Sequence, residues 1–219
     1  MLAERFLQVE ERIQAAARRA GRRRDEITLI AVTKIFPASA IREAYALGLR
    51  HFGESYVQEF AGKRRELDDL TEATYHLIGH LQANKTKLAA DLFQVVQTVD
   101  TAKLARRLGE SGRTLEVMIE AKLSEEDSKS GAAVEEIPAL IEAVREHSNL
   151  RLAGLMTMPP WSDDAELSRA YFRRLRALAE THGLEQLSMG MSHDLEVAIE
   201  EGATHIRVGT ALFGPRKYA

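Results

Sequence analysis

A lysine at the end of an apolar run is the residue of this sequence best suited to chemistry. Lys34 closes the run ITLIAVTK over residues 27–34. Strand alternation places Lys34 on the same face as Ile30 and Val32, two branched residues that suit the interior of a barrel. Partial desolvation there lowers the pKa of an ammonium group and provides a nucleophilic amine for imine formation. A surface lysine at a strand end fits the spacing equally well.

Small residues after two later apolar runs form a second candidate site. Ser192 follows LSMGM, and Gly209 and Thr210 follow the run that ends at Val208. Such residues let backbone N–H groups approach an anion closely, and helix N-termini favour negative charge. We therefore predict phosphate binding at Ser192, Gly209 and Thr210, with simple turns and N-caps as the alternative. Neither the P-loop nor the dinucleotide fingerprint is present, so nothing indicates ATP or NAD.

Three further side chains have the chemistry of a binding site. Arg207 falls within a predicted strand, where a guanidinium needs a partner. That partner is either a structural ion pair across the barrel or the ring or phosphate of a bound cofactor. His76 and His80 share a face if residues 74–80 form a strand, but without a third ligand they predict no metal site. No nucleophile elbow appears, which argues against hydrolase chemistry.

These residues lie in a chain that alternates short apolar runs with longer amphipathic segments. Eight strands alternating with helices indicate parallel βαβ units. We predict an α/β fold, a single (β/α)8 TIM-type barrel with an extra N-terminal helix, over an open doubly wound sheet. Residues 1–219 form one domain in this prediction, because no linker or repeat divides them. The predicted strands are 27–34, 50–54, 74–80, 93–100, 115–122, 151–158, 186–192 and 205–213. The predicted helices are 1–20, 39–47, 55–70, 84–90, 101–110, 133–147, 163–182 and 193–201, with Ser39, Thr101 and Asp163 as N-caps and Gly48, Gly183 and Gly202 after the last turn.

Polar residues gather where the predicted strands end, whereas the strand bodies read as apolar. Active sites of such barrels lie at the carboxyl ends of the strands, so this asymmetry predicts one site there. The strand-end positions are Lys34, Glu54, His80, Asp100, Lys122, Met158, Ser192 and Gly209.

Composition restricts the classes of protein that fit. The chain has 219 residues, of which 45% are hydrophobic and 29% charged, with a net charge of −3. Cysteine is absent, which excludes disulfides and thiolate chemistry and fits a reducing compartment. No signal-peptide or membrane-spanning run is evident, so we expect a cytoplasmic protein without a membrane partner. The basic residues between Arg18 and Arg24 fit a solvated helix end better than a nucleic-acid site, because no aromatic residues interleave with them.

The sequence closely resembles the pyridoxal phosphate homeostasis protein family, whose barrel is similar to the N-terminal domain of alanine racemase. The resemblance runs from about residue 5 to Arg216 and is carried by several long motifs. These are AVTK (31–34), FGESYVQE (52–59), HLIGHLQANK (76–85), SKSG (128–131), GLMTMPP (154–160), LSMGMSHD (187–194) and RVGT (207–210).

The resemblance implies pyridoxal 5'-phosphate as the cofactor, held as an internal aldimine on Lys34. It implies intracellular homeostasis of that cofactor without a robust catalytic activity, and apoenzymes that depend on pyridoxal phosphate as possible recipients. The implied cofactor-binding residues are Lys34, Ser192, Arg207, Gly209 and Thr210, together with Ser55, Met191 and His80 from the matching motifs. Ser55 and Lys122 stand where the family usually has Asn, and Tyr75 stands where it usually has Trp.

Two enzymatic alternatives remain open. An amino-acid racemase would use the same cofactor, but two-base racemisation needs an acid/base group opposite the lysine. In alanine racemases, whose barrel this chain resembles, that group is a tyrosine from a second domain of the partner subunit. We expect no such domain here, because 219 residues leave no room for it. An aldolase-type Schiff base on Lys34, acting on a sugar phosphate, is the weaker alternative.

Overall fold

Eight short parallel strands form a closed barrel in the order in which they occur in the chain. The computed structural model describes residues 1–124 and 130–215. Each strand contains residues that alternate between the barrel interior and the surrounding helices, as a pleated strand requires. The strands are β1 (Thr28–Val32), β2 (His51–Glu54), β3 (Thr74–Leu77), β4 (Val95–Val99), β5 (Leu115–Glu120), β6 (Leu150–Met156), β7 (Gln186–Met191) and β8 (His205–Val208). The prediction of a (β/α)8 barrel is confirmed.

Helices connect the strands on the outside of the barrel, and one further helix precedes β1. In the described residues these are α1 (Leu2–Arg19), α2 (Ala38–Ala46), α3 (Val57–Arg64), α4 (Thr86–Leu92), α5 (Ala102–Gly109), α6 (Ile137–Arg145), α7 (Arg169–Thr181), α8 (Leu195–Glu200) and α9 (Thr210–Phe213). Short 3-10 turns precede or extend several of them. No helix in this part of the chain is long and apolar enough to cross a membrane.

The barrel closes between its first and last strands. Ile30 of β1 is in register with His51 of β2 on one side and with Arg207 of β8 on the other. The N-terminal helix α1 packs on the outside beside α8 and α9. Its residues Val9 and Ile13 are buried, as expected for the apolar stripe of an amphipathic helix. The first and last parts of the described chain therefore meet on one side of the barrel.

Several predicted boundaries are wrong. Strand β8 ends at Val208 instead of residue 213, because the backbone turns at Gly209 and continues as α9. Helix α2 begins directly after Pro37, whose ring already fixes φ at −69°, so Ser39 lies inside the first turn and is not the N-cap. Asp164 rather than Asp163 caps the turn that leads into α7.

Other local predictions are confirmed. Thr101 is the N-cap of α5, and its side chain accepts a hydrogen bond from the backbone N–H of Leu104. Gly48, Gly183 and Gly202 follow the last turns of their helices with positive φ. The acidic residues Glu125, Glu126 and Asp127 and the first two residues of the SKSG motif lie outside the described residues.

The basic residues around the end of α1 are held by acidic partners. Arg19 pairs with Glu200 at 2.8 Å, and Arg24 pairs with Glu10 at 2.6 Å. Arg22 donates to the backbone carbonyl of Ala203 at 2.7 Å. These contacts fasten the segment to the barrel wall.

Candidate functional site

One cavity of about 740 Å³ opens at the carboxyl end of the barrel. The structure brings all eight residues predicted to bind the cofactor to its wall. They come from the connections that follow five strands (β1, β2, β3, β7 and β8), from the end of β7 and from the inside of β8. The eight are Lys34, Ser55, His80, Met191, Ser192, Arg207, Gly209 and Thr210. Whether they bind the cofactor stays a prediction, whereas their convergence is a feature of the fold.

Lys34 lies in a turn just beyond the end of β1, two residues further on than the strand extends. The next residue, Ile35, has φ of 63°. A β-branched residue in the left-handed region is rare and costs roughly 1–3 kcal/mol, so the surroundings must hold it there. The turn is closed by a hydrogen bond from the N–H of Phe36 to the carbonyl of Thr33, at 3.0 Å.

A buried group of charged residues lies directly behind this turn. The ammonium of Lys63 is 2.8 Å from Glu54 Oε1 and 3.0 Å from Glu59 Oε1. It also donates to the carbonyls of Thr33 and Phe36, at 3.1 and 2.9 Å. Burial raises the pKa of the Glu54 carboxyl, and the nearby Lys63 partly offsets that effect. Lys63 of α3 thus holds the turn that carries Lys34 in place.

The loops after β7 and β8 converge on a single hydroxyl. Ser192 Oγ accepts hydrogen bonds from the backbone N–H groups of Gly209 and Ala211, both at 3.2 Å. Thr210, between them, is exposed at the cavity wall. The Ser192 hydroxyl, oriented by these two amides, can donate its own proton to an anionic oxygen.

Two charged residues hold the Ser192 loop in place. Arg12 of α1 donates to the Ser192 carbonyl at 2.9 Å and forms a two-pronged ion pair with Glu196, at 2.6 and 2.9 Å. The buried Asp194 accepts a hydrogen bond from the N–H of Met191 at 2.7 Å. Gly190 has φ of 89°, and a Cβ there would lie 2.4 Å from that of Ala198. The loop is consequently rigid on its outer side.

Arg207 contributes a buried cation to the cavity. Its side chain is almost fully enclosed, and it donates to the Ser188 hydroxyl at 2.7 Å and to the Thr157 carbonyl at 2.9 Å. Burial lowers the pKa of Arg207 to about 10, against the attraction of Asp194 and Glu120, so the group stays charged at neutral pH. Within the described part of the chain, these two bonds use only two of the five N–H donors of a guanidinium.

A chain of hydrogen bonds continues from Arg207 through the barrel. The Ser188 hydroxyl donates to Gln97 Oε1 at 2.7 Å, so Gln97 presents its Nε2 to His76 Nδ1, 3.1 Å away. His76 therefore carries its proton on Nε2 and donates to His51 Nδ1 at 2.9 Å. Burial lowers the pKa of both histidines, and that of His76 falls well below its ordinary value.

The expectation of apolar strand bodies is wrong in the barrel interior. Gln97, Ser188, His76 and Arg207 are all buried there. They satisfy one another by hydrogen bonding, which is what makes their burial tolerable. The expected pairing of His76 and His80 on one strand face is also wrong, because β3 ends at Leu77 and His80 lies in the following loop.

The opposite wall of the cavity contains His80 and Ser55. His80 Nδ1 is 3.5 Å from the carboxylate of Asp100, whose pKa is raised by burial. Ser55 is pressed against Gly79, where an added Cβ would lie 2.4 Å from the Ser55 carbonyl oxygen. Glu120, buried below, has its pKa raised to about 7 by burial and by the charge of Asp100.

The sequence analysis missed about half of the cavity wall. The indole of Trp161 packs on the His193 ring with centroids 5.0 Å apart, and Tyr56 is exposed at the mouth. His193 Nε2 is buried and, among the residues that the structure describes, has no hydrogen-bond partner. The motifs FGESYVQE and LSMGMSHD contain Tyr56 and His193, so proximity to a predicted residue was the available signal. Met158, predicted as a strand-end position, also lies in the wall.

Other strand-end residues stay outside the wall. Glu54, Asp100 and Lys122 are described residues at strand ends, but they do not line the cavity. Across the described ranges, no group of three or more His, Asp or Glu side chains is arranged to hold a metal ion.

The comparisons with known proteins agree with this geometry. The profile of the family described as "Alanine racemase, N-terminal domain" matches residues 8–217. The chain is 49% identical over 223 residues to the pyridoxal phosphate homeostasis protein of Pseudomonas aeruginosa, covering 99% of this chain and 96% of that protein. It is 37% identical to PipY of Synechococcus elongatus, solved with pyridoxal phosphate bound, with a TM-score of 0.84 over 98% of this chain and 100% of that one.

Alanine racemases share the barrel at lower similarity. The enzyme from Corynebacterium glutamicum is 20% identical, with a TM-score of 0.67 over 95% of this chain and 60% of that one, which shows the fold alone. The fold and the matched profile thus define a barrel of the alanine racemase N-terminal type. Within that class, the chain belongs to the pyridoxal phosphate homeostasis protein family. Its relatives are named for homeostasis of the cofactor rather than for a reaction.

Proposed function

We propose that this chain binds pyridoxal 5'-phosphate covalently through Lys34 and takes part in maintaining the cellular supply of that cofactor. The observation that carries the proposal is the convergence of the eight predicted residues on one cavity. Its volume lies within the ~300–1,000 Å³ typical of small-molecule sites. The names of the relatives and the PipY structure support the choice of ligand.

The residues in the cavity fit the chemical groups of the cofactor. The Ser192 hydroxyl, oriented by the backbone amides of Gly209 and Ala211, suits a phosphate, and the exposed Thr210 hydroxyl adds a further donor. Lys34 supplies the amine. When bound, pyridoxal phosphate supplies an aldehyde that condenses with amines and a ring that withdraws electrons.

The charge of Arg207 favours storage of the cofactor over catalysis. A buried guanidinium that is charged at neutral pH disfavours a second positive charge nearby, including a proton on a bound ring nitrogen. A proton on that nitrogen strengthens the ring as an electron sink for the carbanion of racemisation, so its absence makes that reaction less favourable. We therefore prefer a cofactor carrier or regulator to an amino-acid racemase, with apoenzymes that need the cofactor as its recipients.

Reduction of the loaded protein by borohydride tests the covalent attachment. Wild-type protein incubated with pyridoxal phosphate should absorb in the visible range, and peptide mass mapping after reduction should find a pyridoxyl group on Lys34. Lys34→Ala should lose both signals, whereas the exposed Lys87→Ala, on α4, should keep them. No label, or a label only on another lysine, would overturn the proposal.

Chiral analysis separates the carrier from the racemase. Loaded protein incubated with L-alanine should produce no D-alanine above the rate of free pyridoxal phosphate. Turnover that disappears in Lys34→Ala would establish the enzymatic alternative. Transfer is tested by mixing loaded protein with an apoenzyme that depends on the cofactor and measuring the activity that the apoenzyme regains.

A further inference from the structure

Lys63 is a charged residue that the proposed function leaves without a role. Its side chain extends from α3 into the protein, where only 7% of the residue is exposed. Four oxygen atoms lie within 3.1 Å of its ammonium: one each from Glu54 and Glu59, and the carbonyls of Thr33 and Phe36. An ammonium has three protons, so this environment uses all of its donor capacity.

The contacts of Lys63 bracket Lys34 on both sides. The carbonyl of Thr33 precedes Lys34, and that of Phe36 ends the same turn. Glu59 Oε1, itself bound to Lys63, accepts the N–H of Ile35 at 2.7 Å. The residues before and after Lys34 are thus tied to one ammonium or to its carboxylate partner.

We propose that Lys63, with Glu59, is a positioning residue that holds the turn in the conformation that directs the Lys34 amine into the cavity. This inference rests on the proposed role of Lys34. Ile35 adopts its positive φ only because the surroundings hold it there. Condensation joins the Lys34 nitrogen to the aldehyde carbon and releases the aldehyde oxygen as water, so the amine must be presented at a defined distance and angle.

A purely structural ion pair is the competing explanation for Lys63. It would join α3 to β2 through Glu54 and affect only the stability of the fold. The two explanations differ in what happens within protein that is still folded. Positioning predicts slower condensation in the folded variant, whereas a structural pair predicts an unchanged rate.

The rate of imine formation with pyridoxal 5'-phosphate, followed by absorbance, distinguishes these explanations. Glu59→Leu removes the oxygen that accepts from Lys63 and from the Ile35 N–H, at a side chain that is 30% exposed, and should stay folded by circular dichroism. We expect it to form the imine about 10- to 100-fold more slowly than the wild type. Lys63→Met should be slower still. Lys63→Met leaves the Glu54 carboxylate unpaired, and the double variant Lys63→Met/Glu54→Gln removes that carboxylate. The double variant should therefore be more stable than Lys63→Met but form the imine just as slowly.

Lys103→Met, at an exposed position of α5, is the matched control and should react at the wild-type rate. Wild-type rates and absorbance maxima in folded Glu59→Leu and in the double variant would overturn the inference. Absence of any borohydride label in the wild type would instead overturn the proposed function. The two failures are therefore distinguishable.

Discussion

The guanidinium of Arg207 lies 2.7 Å from the hydroxyl of Ser188, and both groups are buried inside the barrel. The Ser188 hydroxyl accepts this hydrogen bond from Arg207 and donates its own to Gln97 Oε1 at 2.7 Å. Arg207 is therefore oriented from below by a chain of neutral groups instead of by an adjacent carboxylate. Its charge is left available to the cavity.

Ser188→Ala should destabilise the protein by about 2 kcal/mol, because a buried hydrogen bond to a charged group is lost and Gln97 loses its donor. Urea unfolding measures the change. Binding of pyridoxal phosphate should also weaken, since Arg207 loses support. Ser39→Ala, at an exposed position in α2, should shift stability by less than about 0.5 kcal/mol. Equal unfolding midpoints for the two variants would contradict the role of Ser188.

Glu120 makes the stability of the protein depend on pH. Burial raises the pKa of its carboxyl from 4.5 to about 7, so between these values the folded state keeps a proton that the unfolded state releases. Stability therefore falls as pH rises through this window. Glu120→Gln removes the dependence, and its stability relative to the wild type should increase by about 3 kcal/mol from pH 4 to pH 8. Urea titrations at several pH values provide the measurement.

The control for this experiment is Glu11→Gln, which removes an exposed carboxylate from α1. Its stability relative to the wild type should change little with pH over the same range. If the difference in stability between Glu120→Gln and the wild type also stays constant with pH, Glu120 is ionised in the folded protein at acidic pH, which contradicts the prediction.

Gly79→Ala should disturb the cavity wall directly. The added Cβ would lie 2.4 Å from the Ser55 carbonyl oxygen and 2.7 Å from its Cα, so the backbone has to move. We expect a loss of about 1–3 kcal/mol and weaker binding of pyridoxal phosphate. Gly62→Ala, in α3, meets no atom within 4 Å and should stabilise the helix by about 0.5–1 kcal/mol. The prediction is contradicted if the two variants change the stability of the protein in the same direction.

Arg12→Met should act on the site from outside the barrel. It removes the ion pair with Glu196 and the hydrogen bond to the Ser192 carbonyl, at side chains that are about one-third exposed. The cost to stability should be about 1 kcal/mol, as expected for a partly exposed pair. Binding measured by absorbance titration should weaken more than in Arg18→Met, which changes an exposed arginine of the same helix. Identical dissociation constants would show that the Ser192 loop needs no support from α1.

The fold was predictable because its signal is local. The alternation of apolar runs with amphipathic segments identified all eight strands, and Thr101 or Gly202 marked helix ends through chemistry confined to a few neighbouring residues. Boundaries failed where a single residue redirected the backbone. Gly209 ended β8 early, and Pro37 moved the start of α2.

About half of the cavity wall was predictable for a similar reason, since residues just after strand ends must share one end of a barrel. The residues behind the wall that hold it in place were not predictable. Lys63 lies in a helix of mixed charge and reads as a surface residue until α3 is placed behind β1. Gln97 and Ser188 meet only because β4 and β7 face each other across the interior. The spacing of the two residues along the chain does not indicate this contact.

Closure of the ring between β1 and β8 has a consequence for biosynthesis. During translation, Lys34 leaves the ribosome long before Arg207, and the nascent chain carries the Lys34 side chain with no enclosure around it. Hydrogen bonding of Thr28–Ala31 to His205–Val208 is what completes the enclosure. The proposed binding of pyridoxal phosphate at Lys34 is thereby postponed until β8 has been synthesised and has paired with β1.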